Sequence, residues 1–214
     1  MRIPDAKVVA GLAAAGLLFR EVVPITDELI PVSAASGMGY LGQEEGRAGV
    51  LIRHDEADLC ARINEEWERL ALERGLFTDG TDGTDGGREF LVGLDISGSD
   101  PNEAEPEQIA CRWVRVEIAP TWDVAGAGCA SSVLGAGAGN PAFIMASLDG
   151  DVLMHSGYYQ VGIGLSVVTR PGNIPGLREE ARRRASSGYL ESAQRHWVER
   201  WLAALPRDAA KSDA

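Results

Sequence analysis

Cys129 lies between Gly128 and Ala130 in the run AGAGCASSVLGAGAGN, residues 125–140. A thiol in such small-residue chain becomes a nucleophile wherever a base reaches it. His155 is the base on offer, Asp151 the acid that would orient it, and Ser131 and Ser132 are hydroxyl alternatives. The spacing works against a triad. In a regular strand Asp151 and His155 share a face but stand four residues apart, about 13 Å along the axis. If the chain is an enzyme, its candidate catalytic residues are Cys129, His155 and Ser131. The plainer account of Cys129 is a small buried thiol or a residue of an exposed loop.

Phosphate chemistry lacks its parts. A P-loop needs Gly-Lys-Ser/Thr opening a helix, and no Lys or Arg falls between Arg115 and Arg170. The segment after the glycine-rich run reads as a strand, where a dinucleotide loop requires a helix. Gln160-Val161-Gly162-Ile163-Gly164 resembles the coenzyme A loop of the GNAT acetyltransferases. That family spaces its Arg or Gln three residues before the first glycine and follows with a helix. Here the spacing is two and a strand follows, so neither coenzyme A nor the family's residues are carried over. No cofactor is expected.

Metal-ligand spacings are equally incomplete. His54 and Asp58 are four apart at a helix start, but no third ligand is indicated, and acidic residues there complement the helix dipole. Asp79, Asp82 and Asp85 recur every three residues in TDGTDGTDGG, where a calcium loop uses every second residue. A solvated loop is the simpler reading, and no metal is expected.

The elements that would position these groups follow from periodicity. Residues 5–20 read as a helix capped by Asp5, with Val8, Leu12, Ala15 and Phe19 on one stripe. Pro24 and Pro31 frame an extended segment over 22–33, suited to an edge strand. A short strand is expected over 49–53. The clearest helix carries Leu59, Cys60, Ile63, Trp67, Leu70 and Ala71 on one face and Arg62–Glu66 and Glu65–Arg69 pairs on the other, and Gly75 ends it. Strands follow over 88–97 and 112–118, with Val114, Val116 and Ile118 facing one way. Residues 142–148 and 151–156 flank Asp149-Gly150, a type I′ hairpin signal. Tyr159, Val161, Ile163, Leu165 and Val167 then alternate with Gly162, Gly164 and Ser166, and a glycine face implies another backbone or helix close over it. Two helices, from Pro175 and from Tyr189 to Leu205, close the chain before Pro206.

Strands after Arg88 are not separated by helices, so the fold class is α+β: a mainly antiparallel meander packed against N-terminal, central and C-terminal helices. One domain is expected over 1–206, with a frayed tail at 207–214. Of the tryptophans, Trp67, Trp197 and Trp201 fall on apolar helix faces, where core packing is the default.

Composition bounds the function. The 214 residues carry 32 Asp and Glu against 20 Lys and Arg, a net charge of −12. That field repels phosphate backbones and argues against nucleic acid as a partner. Three cysteines without CxxC spacing fit a reducing compartment better than a disulfide framework. The apolar stretch 8–19 is too short to span a bilayer, and Asp5 together with Arg20-Glu21 spoils it as a signal peptide. A cytoplasmic protein with no membrane association is expected. The leading reading is a non-catalytic protein-interaction module of adaptor-like or immunity-like type, its partner a protein, basic if the acidic surface makes the contact. The alternatives are a small enzyme, or a ligand-binding domain, with its site at residues 125–140. A ligand-binding domain has a further option, the glycine face over 158–169 as a pocket wall.

Overall fold

A computed structural model of the chain describes residues 5–42, 46–77, 88–96 and 111–206. The TDG repeat, the chain between the strands expected over 88–97 and 112–118, save for Cys111, and the tail at 207–214 lie outside the described residues. The strands are β1 (Leu17–Val22), β2 (Ala48–Arg53), β3 (Glu89–Asp95), β4 (Cys111–Ile118), β5 (Ile144–Ala146), β6 (Val152–Tyr159) and β7 (Gly162–Thr169). They form one sheet in the order β1-β4-β3-β5-β6-β7-β2, every neighbouring pair antiparallel. Helices α1 (Ala6–Ala14), α2 (Val32–Ala35), α3 (Leu59–Arg74), α4 (Pro175–Ser186) and α5 (Ser192–Ala204) pack against it. The α+β class and the antiparallel sheet are as the sequence implied.

Both faces of the sheet are covered, so the strands alternate between two cores. On one face Phe90, Val92, Val114, Val116, Met154 and Ile163 meet Leu12 of α1 and Ile63, Trp67 and Leu70 of α3. Trp67 anchors this side, packed against Phe77, Phe90 and Trp122 at centroid separations of 5.7, 6.0 and 4.9 Å. On the other face Leu91, Trp113, Leu153 and Val168 meet Met38 and the residues Leu177, Trp197 and Trp201 of α4 and α5. Trp113 and Trp197 each bury a polar edge by donating Nε1–H to a carbonyl, of Ile30 and Thr26 respectively. The helical tryptophans are therefore core residues.

Several local expectations are corrected. The first helix stops at Ala14, because Gly16 takes a left-handed φ of +74° and the chain turns into β1, which pairs Leu17 with Ile118. Asp5 does cap it, accepting from the Lys7 N–H. The edge strand is β1 rather than 22–33, whose proline-framed chain leads into the short α2. Asp149-Gly150 does not form a type I′ turn: only Gly150 has positive φ, and its N–H closes the turn on Ser147 O. The alternation over 159–167 conceals a second hairpin. Tyr159 pairs with Gly162, so Gln160 and Val161 are its turn and Val161 is 62 % exposed. Helix α3 ends as its sequence required, Gly75 at φ +74° and Leu76 N–H on Ala71 O. Arg69 pairs with Glu66 and Glu73, however, not with Glu65.

Candidate functional site

The glycine-rich run is a built piece of core. Asp123 caps a single π-type turn, Val124–Gly128, accepting from the N–H groups of Gly126 and Ala127 and from Asn64 Nδ2. Burial works to raise its carboxyl, but these three donors overcome that and hold it below the ordinary carboxylate range. Asn64 Oδ1 accepts in turn from Ala125 N–H, which ties the run to α3. Glycine is needed where the run closes on itself: a Cβ on Gly135 would meet the Asn140 carbonyl and the Cys129 sulfur.

Cys129 is fully buried in this core, its thiol directed at the carbonyls of Val124 and Leu134. Burial, with Cys60 and Asp123 adding negative potential, pushes its pKa up to about 12. Burial thus favours the protonated thiol and closes it to solvent, both of which work against its use as a nucleophile. Ser131 donates to Gly128 O at 2.6 Å and lies against Gly11 of α1. Ser132 sits at a positive φ of 64° in the adjoining turn.

His155 lies on the opposite face of the sheet. Along β6, Val152 and Met154 join the core shared with Cys129, while Leu153, of His155's parity, joins the other. The imidazole is packed under Gly39, and its Nδ1 is enclosed with no hydrogen-bond partner. Burial, helped by the Arg47 cation, lowers its pKa to about 4. The expected Cys129–His155 pairing is thus interrupted by the sheet itself, and Asp151, just before β6 begins at Val152, is no partner of the imidazole Nδ1. His54 also departs from its expected place. Asp58 has a left-handed φ of 53° and α3 starts after it, so His54 and Asp58 share no helix turn. The His54 ring stacks on Tyr158 at 4.6 Å and its Nε2–H donates to Tyr159 O. Among the described residues no three His, Cys, Asp or Glu gather where a metal would fit.

The glycine face does form a hollow. In register across β6, β7 and β2 run the rows His155–Ser166–Gly49, Gly157–Gly164–Leu51 and Tyr159–Gly162–Arg53. Among the described residues, the atoms nearest a Cβ on Gly157 or Gly164 belong to the His155 and Tyr159 side chains, not to a covering helix. Tyr159 folds back instead, so a Cβ on Gly164 would strike its ring. Beside that ring is a hollow of about 300 Å³ lined by Arg47, Gly49, Leu51, Tyr159, Val161 and Gly164, with Val50 and Leu165. Val50 and Leu165 direct their side chains to the other core, so they present backbone here. Leu51 and Val161 also border a neighbouring hollow of about 450 Å³ containing Arg53, His54, Asp55 and Gln160.

This is where apolar surface collects. Leu51 is 51 % and Val161 62 % exposed, beside the half-covered Tyr159, while Tyr158, of Met154's parity, stands toward the other face against His54. Arg47 donates to Leu41 O and pairs with no carboxylate among the described residues. Sequence reading missed Arg47, Leu51 and Val161 because strand alternation assigns every second apolar residue to a core. Only the glycines marked this face as unusual. The chain matches no protein-family model, and neither a curated protein nor a solved structure is detectably similar to it.

Proposed function

We propose that this protein is a non-catalytic protein-interaction module, of adaptor-like or immunity-like type, and that its contact surface is the rim of the glycine-floored hollow. One observation carries the reading: Leu51, Tyr159 and Val161 stand exposed together beside Arg47 at one end of the sheet. Tyrosine and arginine around an apolar centre are the residue types that dominate binding energy at protein interfaces. The net charge of −12 suits long-range attraction of a basic partner, while Arg47 offers a local donor to a carboxylate or carbonyl. A cytoplasmic setting belongs to the same proposal. It is compatible with three unpaired cysteines and with the lack, among the described residues, of a helix long and apolar enough to cross a membrane.

The test is affinity capture with the wild-type chain and the Val161→Asp variant. Val161 is a turn residue outside both cores, so the variant keeps its fold and melting temperature. The wild-type chain is expected to retain one stoichiometric partner, more weakly as salt rises, and Val161→Asp to lose it. Equal capture by both chains counts against the reading.

A second reading, a ligand-binding domain without chemistry, is favoured by the hollow's volume, which falls at the low end for small-molecule sites. Ligands bound there would shift the amide resonances of Gly49 and Gly164. Shifts confined to residues 125–140 would exclude that location.

A further inference from the structure

The two edges of the sheet are finished differently. β1 carries a register shift between Phe19 and Glu21, and it is flanked by Arg20–Glu117 and Glu21–Arg115 ion pairs. Bulges and charges of this kind keep an edge from pairing with another strand. β2 has neither device: its six residues keep an unbroken register with β7, and Gly49 to Ile52 carry no charge. The Ile52 carbonyl faces β7, against the position a Gly162 Cβ would take, and the Leu165 carbonyl faces Gly49. Carbonyls alternate along a strand, so Gly49, Leu51 and Arg53 direct their N–H and C=O groups out of the sheet. Among the described residues no backbone group pairs with Gly49 or Leu51 across that edge.

We infer that the occupant of this edge is a second copy of the chain, paired antiparallel, β2 on β2, about a two-fold axis through Leu51. The sequence of the edge is self-complementary in that register. Leu51 of one copy meets Leu51 of the other, which covers a side chain now 51 % exposed. Arg53 lies opposite Gly49, where no side chain obstructs it. Beyond Arg53 the chain turns, with Glu56 N–H on Arg53 O, so the paired ladder runs from Gly49 to Arg53, and in this register it sets no like charges against each other. Moving the axis to Val50 sets Arg47 against Arg53 and leaves like charges opposed, which is unfavourable in a sheet. The outward-facing groups of Gly49, Leu51 and Arg53 fall in hydrogen-bonded positions only when Leu51 is central or the shift is even. The result is a closed, isologous dimer in which one sheet runs through both copies and the two hollows flank the axis.

The assembly does not rest on the proposed partner, whose loss is read with Val161→Asp. Sedimentation velocity on the wild-type chain over a concentration series is expected to show a monomer–dimer equilibrium, and Leu51→Asp to remain monomeric with an unchanged melting temperature. In Leu51→Cys, the opposed residues have a Cα separation of about 5.5 Å, within disulfide reach. Mild oxidation should therefore give a cross-linked dimer that the wild-type chain, with Cys60, Cys111 and Cys129 alone, does not give. A wild-type chain monomeric throughout overturns the inference, as does a dimer that survives Leu51→Asp or fails to cross-link in Leu51→Cys. Equally contrary would be a monomer whose β2 edge binds the strand of a different protein.

Discussion

At the residue scale, burial decides what Cys129 and His155 do. With its pKa near 12 and no solvent contact, Cys129 should resist iodoacetamide at pH 8 while Cys60 and Cys111 label. Its modification should follow global unfolding, read by mass spectrometry along a urea series; fast labelling of Cys129 in the folded chain would reopen the nucleophile reading. His155 carries a sign that acid can test. Its folded pKa of about 4 lies below the ordinary 6.5, so the unfolded chain takes up a proton first. The contribution is complete above pH 6.5, falls as pH drops through that value and is lost by about pH 4. At most about 3 kcal/mol is involved. The urea midpoint should therefore drop further between pH 7 and pH 4.5 in the wild-type chain than in His155→Gln. Equal losses would show that the imidazole is not held neutral. The sequence leaves Cys129 between a buried thiol and a residue of an exposed loop, because small residues suit both, and which face His155 occupies depends on strand boundaries that it does not resolve.

At the scale of elements, legibility followed punctuation. Helix α3 announced its apolar face, and its Gly75 stop was readable because periodicity and terminator agreed. Helix α1 was overextended because Leu17, Leu18 and Phe19 continue an apolar run, and the break is made by tertiary contact at Gly16. A Cβ there would run into backbone at Thr121 and Trp122, whereas one on Gly75 meets nothing within 4 Å. Both glycines have φ +74°, so substitution separates strain from crowding. Gly75→Ala should cost about 1 kcal/mol, the left-handed penalty alone. Gly16→Ala should cost about 2 to 4 kcal/mol once displacement of β1 is included, measured by denaturant unfolding. Equal costs would mean that the α1–β1 corner yields freely. The β6–β7 hairpin was missed for a related reason. Gln160-Val161 lacks the glycine or asparagine that signals a two-residue turn, and neither residue has positive φ.

For the whole molecule, a sheet buried on both faces leaves little room for a surface-facing site, and among the described residues one corner escapes coverage by helices. Helices α4 and α5 pack over the second face near Leu153 and Val168, while the rows of Gly157, Gly162 and Gly164 lie beyond them. Composition disclosed the acidic balance and the order of elements the α+β class, but neither disclosed this corner, since coverage is a property of helix placement that no local pattern encodes. The glycine-rich run at 125–140, the most conspicuous stretch of the sequence, turns out to brace α1 and α3. The sharpest measurement is amide hydrogen exchange on the chain with and without its captured partner. Protection gained across 158–164, with residues 123–140 unchanged, is what the account predicts. Protection centred on 123–140, with the rim of the hollow left as exposed as before, would contradict it.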